Sequence, residues 1–186
     1  MISKVFSSAV FGIDAYLVEV EVDISSGFPN FSTVGLAEGA VRESKERVVA
    51  AIKNCGYKFP QKRITVNLAP ADRKKEGSAL DAPISIGILS AAGLIDFKRL
   101  GDYVILGELS LDGKIKGIKG TLPSALCVRD MGLKGIILPR ENAGEAAVVK
   151  GIDVIPVESL SQIVEFLAGI TDIEPASVDL GEIFNR

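Results

Sequence analysis

A serine stands just before a long apolar stretch, and its chemistry depends on which group can accept its proton. Ser78 lies in the segment EGSALDAPISIGILSAAG. The chain contains no histidine, which excludes Ser-His-Asp and Cys-His catalysis and zinc sites that use imidazole ligands. A nucleophilic serine here would need a lysine whose pKa is lowered by burial, because an ammonium group cannot take up the hydroxyl proton.

Three lysines follow as candidate bases, and they alternate along a predicted exposed strand: Lys114, Lys116 and Lys119. A solvated lysine is protonated near pH 7 and is a poor base. Ser78 also fits a structural role, because Ser78 to Asp81 matches a helix-capping pattern, and Pro83 favours Asp81 as the cap. The sequence therefore favours a structural Ser78 and leaves a dyad of Ser78 with one of these lysines as the alternative.

Basic residues on either side of the strand RITVNLA form a second candidate site. We expect them to line one end of the sheet and to contact DNA phosphates: Lys62, Arg63, Arg73, Lys74 and Lys75. The formal net charge of −3 opposes DNA binding by the domain as a whole, so such a patch would be local. The competing interpretation is that these charges are simply solvated surface.

The stretch GELSLDGK superficially resembles a phosphate-binding loop. Five residues separate Gly107 from Gly113, and Ile115 follows Lys114 where a hydroxyl is required, so the P-loop pattern is not met. The dipeptide Asp112-Gly113 instead predicts a tight primed turn between two strands. The sequence therefore predicts no ATP site in this stretch.

Composition indicates one large domain or two small interdependent halves of about residues 1–95 and 96–170, since 186 residues with 47% hydrophobic content can bury a core. Cys55 and Cys127 lie far apart with no C-x-x-C motif and are predicted to be free thiols. No signal peptide and no 18-residue apolar run occur, which predicts a cytoplasmic protein.

Hydrophobic periodicity predicts an antiparallel hairpin over residues 2–24, a strand at RITVNLAP and a buried central helix. From about residue 120 an alternation of helices and strands is predicted. The predicted helices cover 38–54, 82–94, 120–131, about 142–150 and 159–168, and the later strands cover 135–138 and 153–157. The tail at 170–186 lacks periodicity and is predicted to be a linker or docking arm.

Three segments resemble the N-terminal, ChlI-type domain of the YifB/ComM family of magnesium-chelatase-like AAA+ ATPases: FPNFSTVGLAEGAVRESKERVVAAIKNCGYKFP, ITVNLAPADRKKEGSALDAPISIGILSA and LGELSLDGKIKGIKGTLPSAL. The resemblance covers about residues 1–170. It implies an α+β fold, a two-layer α/β sandwich like the Lon-protease proteolytic domain, which is also found in domain 2 of a ribosomal small-subunit protein.

The resemblance also implies that the catalytic positions of the Lon-like group are empty here. Matching the glycine-bounded loop places the nucleophile position at Ala79, one residue after Ser78. Extending from the GE hairpin places the lysine position at Leu122, three residues after Lys119. The resemblance therefore implies a domain without catalytic residues, and it leaves a serine–lysine hydrolase of the Lon-like type, using Ser78 and Lys119, as the alternative.

In this family an AAA+ module follows the domain, binds ATP and magnesium and assembles into a hexamer. The resemblance places those cofactors outside this chain, makes residues 171–186 a linker toward the module, and implies partners in that module, neighbouring subunits and possibly DNA, with no membrane. The implied function is assembly or DNA engagement for an ATP-driven motor resembling a branch-migration helicase, as in competence. A purely architectural module remains a further alternative.

Overall fold

The structure, a computed structural model, describes residues 1–181 and begins with a long antiparallel hairpin. Strand β1 (Ile2–Phe11) pairs along its whole length with β2 (Asp14–Ser25). Phe11 lies opposite Asp14 across a two-residue turn in which Gly12 has a φ of 63°. A glycine with positive φ at the first turn position matches the twist of a hairpin. The hairpin predicted for residues 2–24 is confirmed.

The first half of the chain continues with β3 (Asn30–Val34), α1 (Gly39–Asn54), β4 (Arg63–Ala69) and α2 (Asp81–Ala91). All but one of the residues of α2 are buried, which confirms the predicted central helix. This helix lies so close to the sheet that a Cβ on Gly87 would come within 2.6 Å of a methyl carbon of Val22. Glycine at that position therefore sets the distance between helix and sheet.

The second half alternates strands and helices as predicted, because its parallel strands are connected by helical crossovers. Its elements are β5 (Tyr103–Ile105), β6 (Glu108–Leu109), β7 (Ile115–Lys116), α3 (Thr121–Asp130), β8 (Gly135–Pro139), α4 (Ala143–Ala146), β9 (Asp153–Val157) and α5 (Leu160–Leu167). Helix α4 is shorter than the helix predicted over about 142–150.

Seven strands form one mixed sheet in the order β3-β4-β2-β1-β5-β8-β9. Helices α1, α2 and α5 bury one face of the sheet, whereas α3 packs on the other face over β1, β2 and β8 and α4 packs there over β9. Alternate residues of β5 show this division, since Ile105 belongs to the first core and Val104 to the second. The predicted α+β fold is confirmed, and the structure adds helices on the second face.

The hairpin of β6 and β7 does not have the predicted primed turn. That turn requires positive φ at both central residues, but Gly113 has a φ of 88° and Asp112 does not lie in this region. The N–H of Ser110 donates to the Lys114 carbonyl at 2.9 Å, which closes a three-residue loop. The loop therefore ends on a left-handed glycine.

The tail lies against the sheet as far as residue 178. The N–H of Ala176 donates to the carbonyl of Val154 in β9 at 2.8 Å, and Arg99 pairs with Asp172 at 2.7 Å. Val178 packs against the second core. Residues 182–186 of the predicted linker lie outside the described residues. No helix within residues 1–181 is long and apolar enough to cross a membrane.

Candidate functional site

A cavity of about 1030 Å³ lies between the β1–β2 hairpin and the segments that precede α2 and α3. Residues 8–12 of the hairpin form one wall, and parts of 72–80 and 117–120 form the others. Ser78 and Lys119 both line it. The structure therefore brings the two residues of the candidate dyad into one recess.

The geometry of these two residues does not make a catalytic dyad. Ser78 is half-buried, and its carbonyl accepts the N–H of Asp81 at 3.2 Å in the turn before α2. Lys119 is exposed, and no hydrogen bond among residues 1–181 joins its amine to the Ser78 hydroxyl. Ala79 also lines the cavity, and Leu122 lies in the first turn of α3. The two positions implied by the Lon-like group thus carry side chains that cannot act as nucleophile or base.

Lys75 is fully buried, so it does not belong in the predicted set of DNA-contacting residues. Its amine donates to the Gly35 carbonyl at 2.9 Å and to the Pro70 carbonyl. Burial lowers the pKa of Lys75. Its backbone also bonds to Leu36 and Glu38, so this lysine fastens the segment before α2 to the loop before α1. An ammonium held in this way is not placed to contact a phosphate.

The remaining basic residues do not form the single cluster that the sequence predicted. Lys62 and Arg63 stand at the start of β4, whereas Arg73 and Lys74 follow its end. A strand of seven residues spans roughly 20 Å, so the prediction that they line one end of the sheet is wrong. Of the four, only Arg73 and Lys74 line the cavity, and all four side chains are exposed.

A tyrosine organises the cavity wall that carries Arg73. The guanidinium carbon of Arg73 lies 4.7 Å from the centroid of the Tyr16 ring, within the range of a cation–π interaction. The Tyr16 hydroxyl donates to the Lys74 carbonyl at 3.1 Å. Burial raises the pKa of this hydroxyl, and the nearby Arg73 charge opposes that rise. The hairpin and the segment before α2 are therefore joined at the cavity.

Two buried serines fix the opposite wall. The Ser8 hydroxyl donates to the Ser124 hydroxyl at 2.8 Å, and Ser124 donates to the Gly120 carbonyl at 2.9 Å. Gly120 has a φ of 78°, and a Cβ there would come within 2.4 Å of a Val10 methyl carbon. The start of α3 is thus held directly against β1.

Sequence reasoning missed a buried ion pair at the start of α2. Asp81 has no exposed surface; Arg47 donates to its two oxygens at 2.7 and 3.0 Å, and the N–H of Leu109 donates at 3.0 Å. Burial raises the pKa of Asp81, and the hydrogen bond from Arg47 opposes the rise. The predicted cap is wrong, because no side chain caps α2. The sequence did contain a signal for this pair: Asp81 adjoins an apolar run, and a carboxylate buried there needs a positively charged or hydrogen-bonding partner.

The stretch that superficially resembles a phosphate-binding loop does not fit a nucleotide. Within it, the Ser110 amide bonds to Lys114 and the Gly113 amide bonds to the Ser110 carbonyl. These amides close the hairpin and are not free to wrap a phosphate. Among residues 1–181, no group of three or more His, Cys, Asp and Glu side chains is placed to hold a metal ion.

Comparison with known proteins places this architecture in a family. The family model described as subunit ChlI of Mg-chelatase matches residues 20–142. The chain is 41% identical to competence protein ComM of Haemophilus influenzae over 165 residues, which is 89% of this chain and 32% of ComM. It is 39% identical to the uncharacterized protein YifB of Escherichia coli over 168 residues, which is 90% of this chain and 33% of YifB.

A more distant similarity connects the chain to proteases. An archaeal Lon protease from Methanocaldococcus jannaschii is 30% identical over 103 residues, which is 55% of this chain and 16% of the protease. The chain spans about a third of the length of its ComM and YifB relatives. From the model match and the identity across nine-tenths of its length, the chain belongs to the Mg-chelatase-like YifB/ComM family, as an N-terminal domain of ChlI type.

Proposed function

We propose that this chain is a non-catalytic domain that serves assembly or DNA engagement for an ATP-driven, DNA-processing motor resembling a branch-migration helicase. The observation that carries the proposal is the cavity, in which no lysine among residues 1–181 is hydrogen-bonded to the Ser78 hydroxyl. Lys119 is solvated, and Lys75, whose pKa burial lowers, is bonded to backbone carbonyls away from the cavity lining. Such a recess can hold a ligand or a neighbouring segment without cleaving it.

DNA engagement is supported by the name of one relative, competence protein ComM, and by the exposed cations. Two separate pairs are available: Arg73 with Lys74 at the cavity, and Lys62 with Arg63 at the far end of β4. Each phosphate neutralised by a cation contributes about −0.9 to the slope of log affinity against log salt concentration. The two pairs therefore offer a direct comparison.

The test is a salt titration of fluorescent duplex DNA with two double variants, R73Q/K74Q and K62Q/R63Q. If the cavity pair contacts phosphates, R73Q/K74Q lowers the magnitude of the salt slope by about 2 while K62Q/R63Q leaves it unchanged. The opposite pattern would move DNA contact to the far end of β4. Absence of DNA binding at low salt by the unaltered chain would remove DNA engagement and leave assembly.

A serine–lysine hydrolase of the Lon-like type is the second candidate function, because Ser78 and Lys119 share the cavity. It is less favoured, since the lysine is exposed and the pair is not bonded. A fluorophosphonate probe distinguishes the two functions. We expect no labelling of Ser78; labelling that disappears in both S78A and K119M would establish the hydrolase and overturn the non-catalytic proposal.

For the whole family protein we propose a cytoplasmic hexamer in which ATP and magnesium bind outside the matched region. The role of this domain is measured by DNA-stimulated ATP turnover of the full-length relative with and without the segment equivalent to residues 1–170. We expect deletion to reduce the stimulation by DNA while basal turnover persists. Stimulation that is identical in both proteins would exclude coupling through this domain.

A further inference from the structure

Strand β1 loses one of its two neighbours before it ends. It pairs with β2 from Ile2 to Phe11, but its pairing with β5 consists of Phe6 opposite Val104 alone. Strand β5 then ends at Ile105. The next two amides turn away, because Leu106 donates to the Ile137 carbonyl and Gly107 donates to the Ala79 carbonyl. The end of β1 therefore has an open side.

The register identifies the backbone groups on that side. Phe11 and Asp14 close a two-residue hairpin, so they exchange hydrogen bonds with each other, and alternate residues of β1 direct their N–H and C=O groups away from β2. Val10 is such a residue. No loop, turn or side-chain hydrogen bond within residues 1–181 involves its backbone. Val10 therefore offers a free donor and a free acceptor of the kind that an added strand pairs with.

The cavity lies along this open side, since residues 8–12 form its wall. Its volume of about 1030 Å³ is at the upper end of the range of roughly 300–1,000 Å³ typical of ligand pockets. Leu106, Ile118 and Ala79 supply apolar lining. There is thus room beside β1 for a short extended chain.

Cations lie on both faces of this open edge. Arg73 stacks on Tyr16, which is opposite Ala9 and shares its face of the hairpin. Lys119 precedes Gly120, which lies against Val10 on the other face. An added strand presents successive side chains to opposite faces, so neighbouring acidic residues would meet Arg73 on one side and Lys119 on the other.

Acidic residues also line the cavity, and two of the three have cations close by. The charge of Asp72 favours the protonated form of the buried Lys75 and so opposes the lowering of its pKa by burial. Glu108 lies opposite Lys116 in the β6–β7 register, and its charge contributes to the raised pKa of Arg47. Glu76 is the third. Neither these acids nor Arg73, Lys74 and Lys119 form an ion pair among the described residues. The cavity lining as a whole is therefore formally neutral, and the positive charge is local to Arg73 and Lys119, which flank the open edge of β1.

We infer that the open edge of β1 at Val10 and the cavity beside it bind an extended peptide segment with adjacent acidic side chains, by β-strand addition. The inference rests on the proposed non-catalytic function, because the peptide is held and released intact. It gives the assembly role a partner class, an acidic strand-forming segment of another protein. Double-stranded DNA lacks the amide backbone that would pair with Val10, so the free edge favours a peptide.

The experiment measures fluorescence anisotropy of a labelled peptide, Ser-Val-Glu-Glu-Val-Ser, against the folded chain. Two control peptides separate the contributions: one carries glutamine in place of both glutamates, and one carries N-methyl groups on the two central amides, which keeps the charge but blocks strand pairing. We expect each control peptide to bind at least about tenfold more weakly than the parent.

Charge variants of the chain locate the site. K119E and R73Q should each weaken binding of the parent peptide by about fivefold or more. K45E changes an exposed lysine of α1 that does not line the cavity, and it should bind as the unaltered chain does. Equal binding of the parent and N-methylated peptides, or loss of affinity in K45E as large as in K119E, would overturn the inference.

The failure of peptide binding can be distinguished from the failure of the proposed function. If the peptide does not bind while DNA binds with the salt slope described above, strand addition is wrong and the DNA role stands. If duplex DNA displaces the bound peptide, and if peptide affinity depends on peptide charge but not on N-methylation, the cavity would be assigned to DNA. Cleavage of the peptide by the chain would instead overturn the non-catalytic function while leaving peptide binding in place.

Discussion

Replacing Arg47 with leucine tests how the buried Asp81 is stabilised. The change removes two hydrogen bonds and the opposite charge, and it leaves the carboxylate with the Leu109 amide. Breaking a buried ion pair by removing one partner costs about 3–5 kcal/mol. Because 20% of the Arg47 side chain is exposed, water can enter from that side, and we expect about 3 kcal/mol at pH 7.

The same variant should change how stability depends on pH. Burial raises the folded-state pKa of Asp81 above its unfolded value of 3.8, so the associated stability is present below pH 3.8 and is lost as pH rises through the folded pKa. Arg47 opposes this rise. Without Arg47 the folded pKa rises further, and more stability is lost on the way to neutral pH. The deficit of R47L should therefore be smallest in acid and grow toward pH 7.

Urea denaturation followed by far-UV circular dichroism, repeated from pH 4 to 8, gives both quantities. R129L is the matched control, because Arg129 is half-exposed and pairs with the exposed Asp130; it should cost less than about 1 kcal/mol at every pH. The double variant R47L/D81L should recover part of the loss, since it leaves no unpaired buried charge. A deficit below 1 kcal/mol in R47L, or one that is the same at all pH values, would refute this account.

Two other substitutions test the contact between Gly120 and Val10 and the buried Lys75. G120A should lower the free energy of unfolding by about 2–4 kcal/mol, because it combines a positive φ with a contact to Val10, whereas G132A has a similar φ and open space and should cost only about 1–2 kcal/mol. If G120A and G132A lose the same stability in thermal denaturation, the contact between residue 120 and Val10 is relieved at no cost. K75M should cost about 1–3 kcal/mol at pH 7 by leaving the Gly35 carbonyl unpaired. Because the folded pKa of Lys75 is lowered, wild-type stability relative to K75M should increase as pH rises toward 10.5, and a decrease would contradict the assignment.

The sequence predicted the elements whose signals are local. The alternation Val18, Val20, Val22 identified β2, and the apolar run after Pro83 identified the central helix, because strand and helix periods are properties of short segments. The interpretation of Asp81 as a helix cap was wrong because its true partner is distant in the sequence. A capping rule considers only nearby residues, but its partner Arg47 lies 34 positions away on another helix.

The candidate site was predicted in part. Ser78 and Lys119, which the sequence offered only as an alternative dyad, do share a cavity. Lys75 was assigned to the surface because lysines are rarely buried, and the backbone carbonyls that hold it come from two loops that no pattern brings together. The free edge of β1 was not predictable, because it depends on where β5 departs from the sheet almost a hundred residues later.

The position of β1 in the middle of the sheet also affects synthesis of the protein. Its second neighbour, β5, begins at Tyr103, 92 residues after Phe11. At about 5–20 residues per second, the ribosome needs on the order of 5–20 s to make that stretch. During this interval the nascent hairpin can pair with β4 while the other flank of β1 has no partner. Chaperones or slow codons that act in this interval would therefore influence the yield of folded protein more than the same factors acting after residue 105.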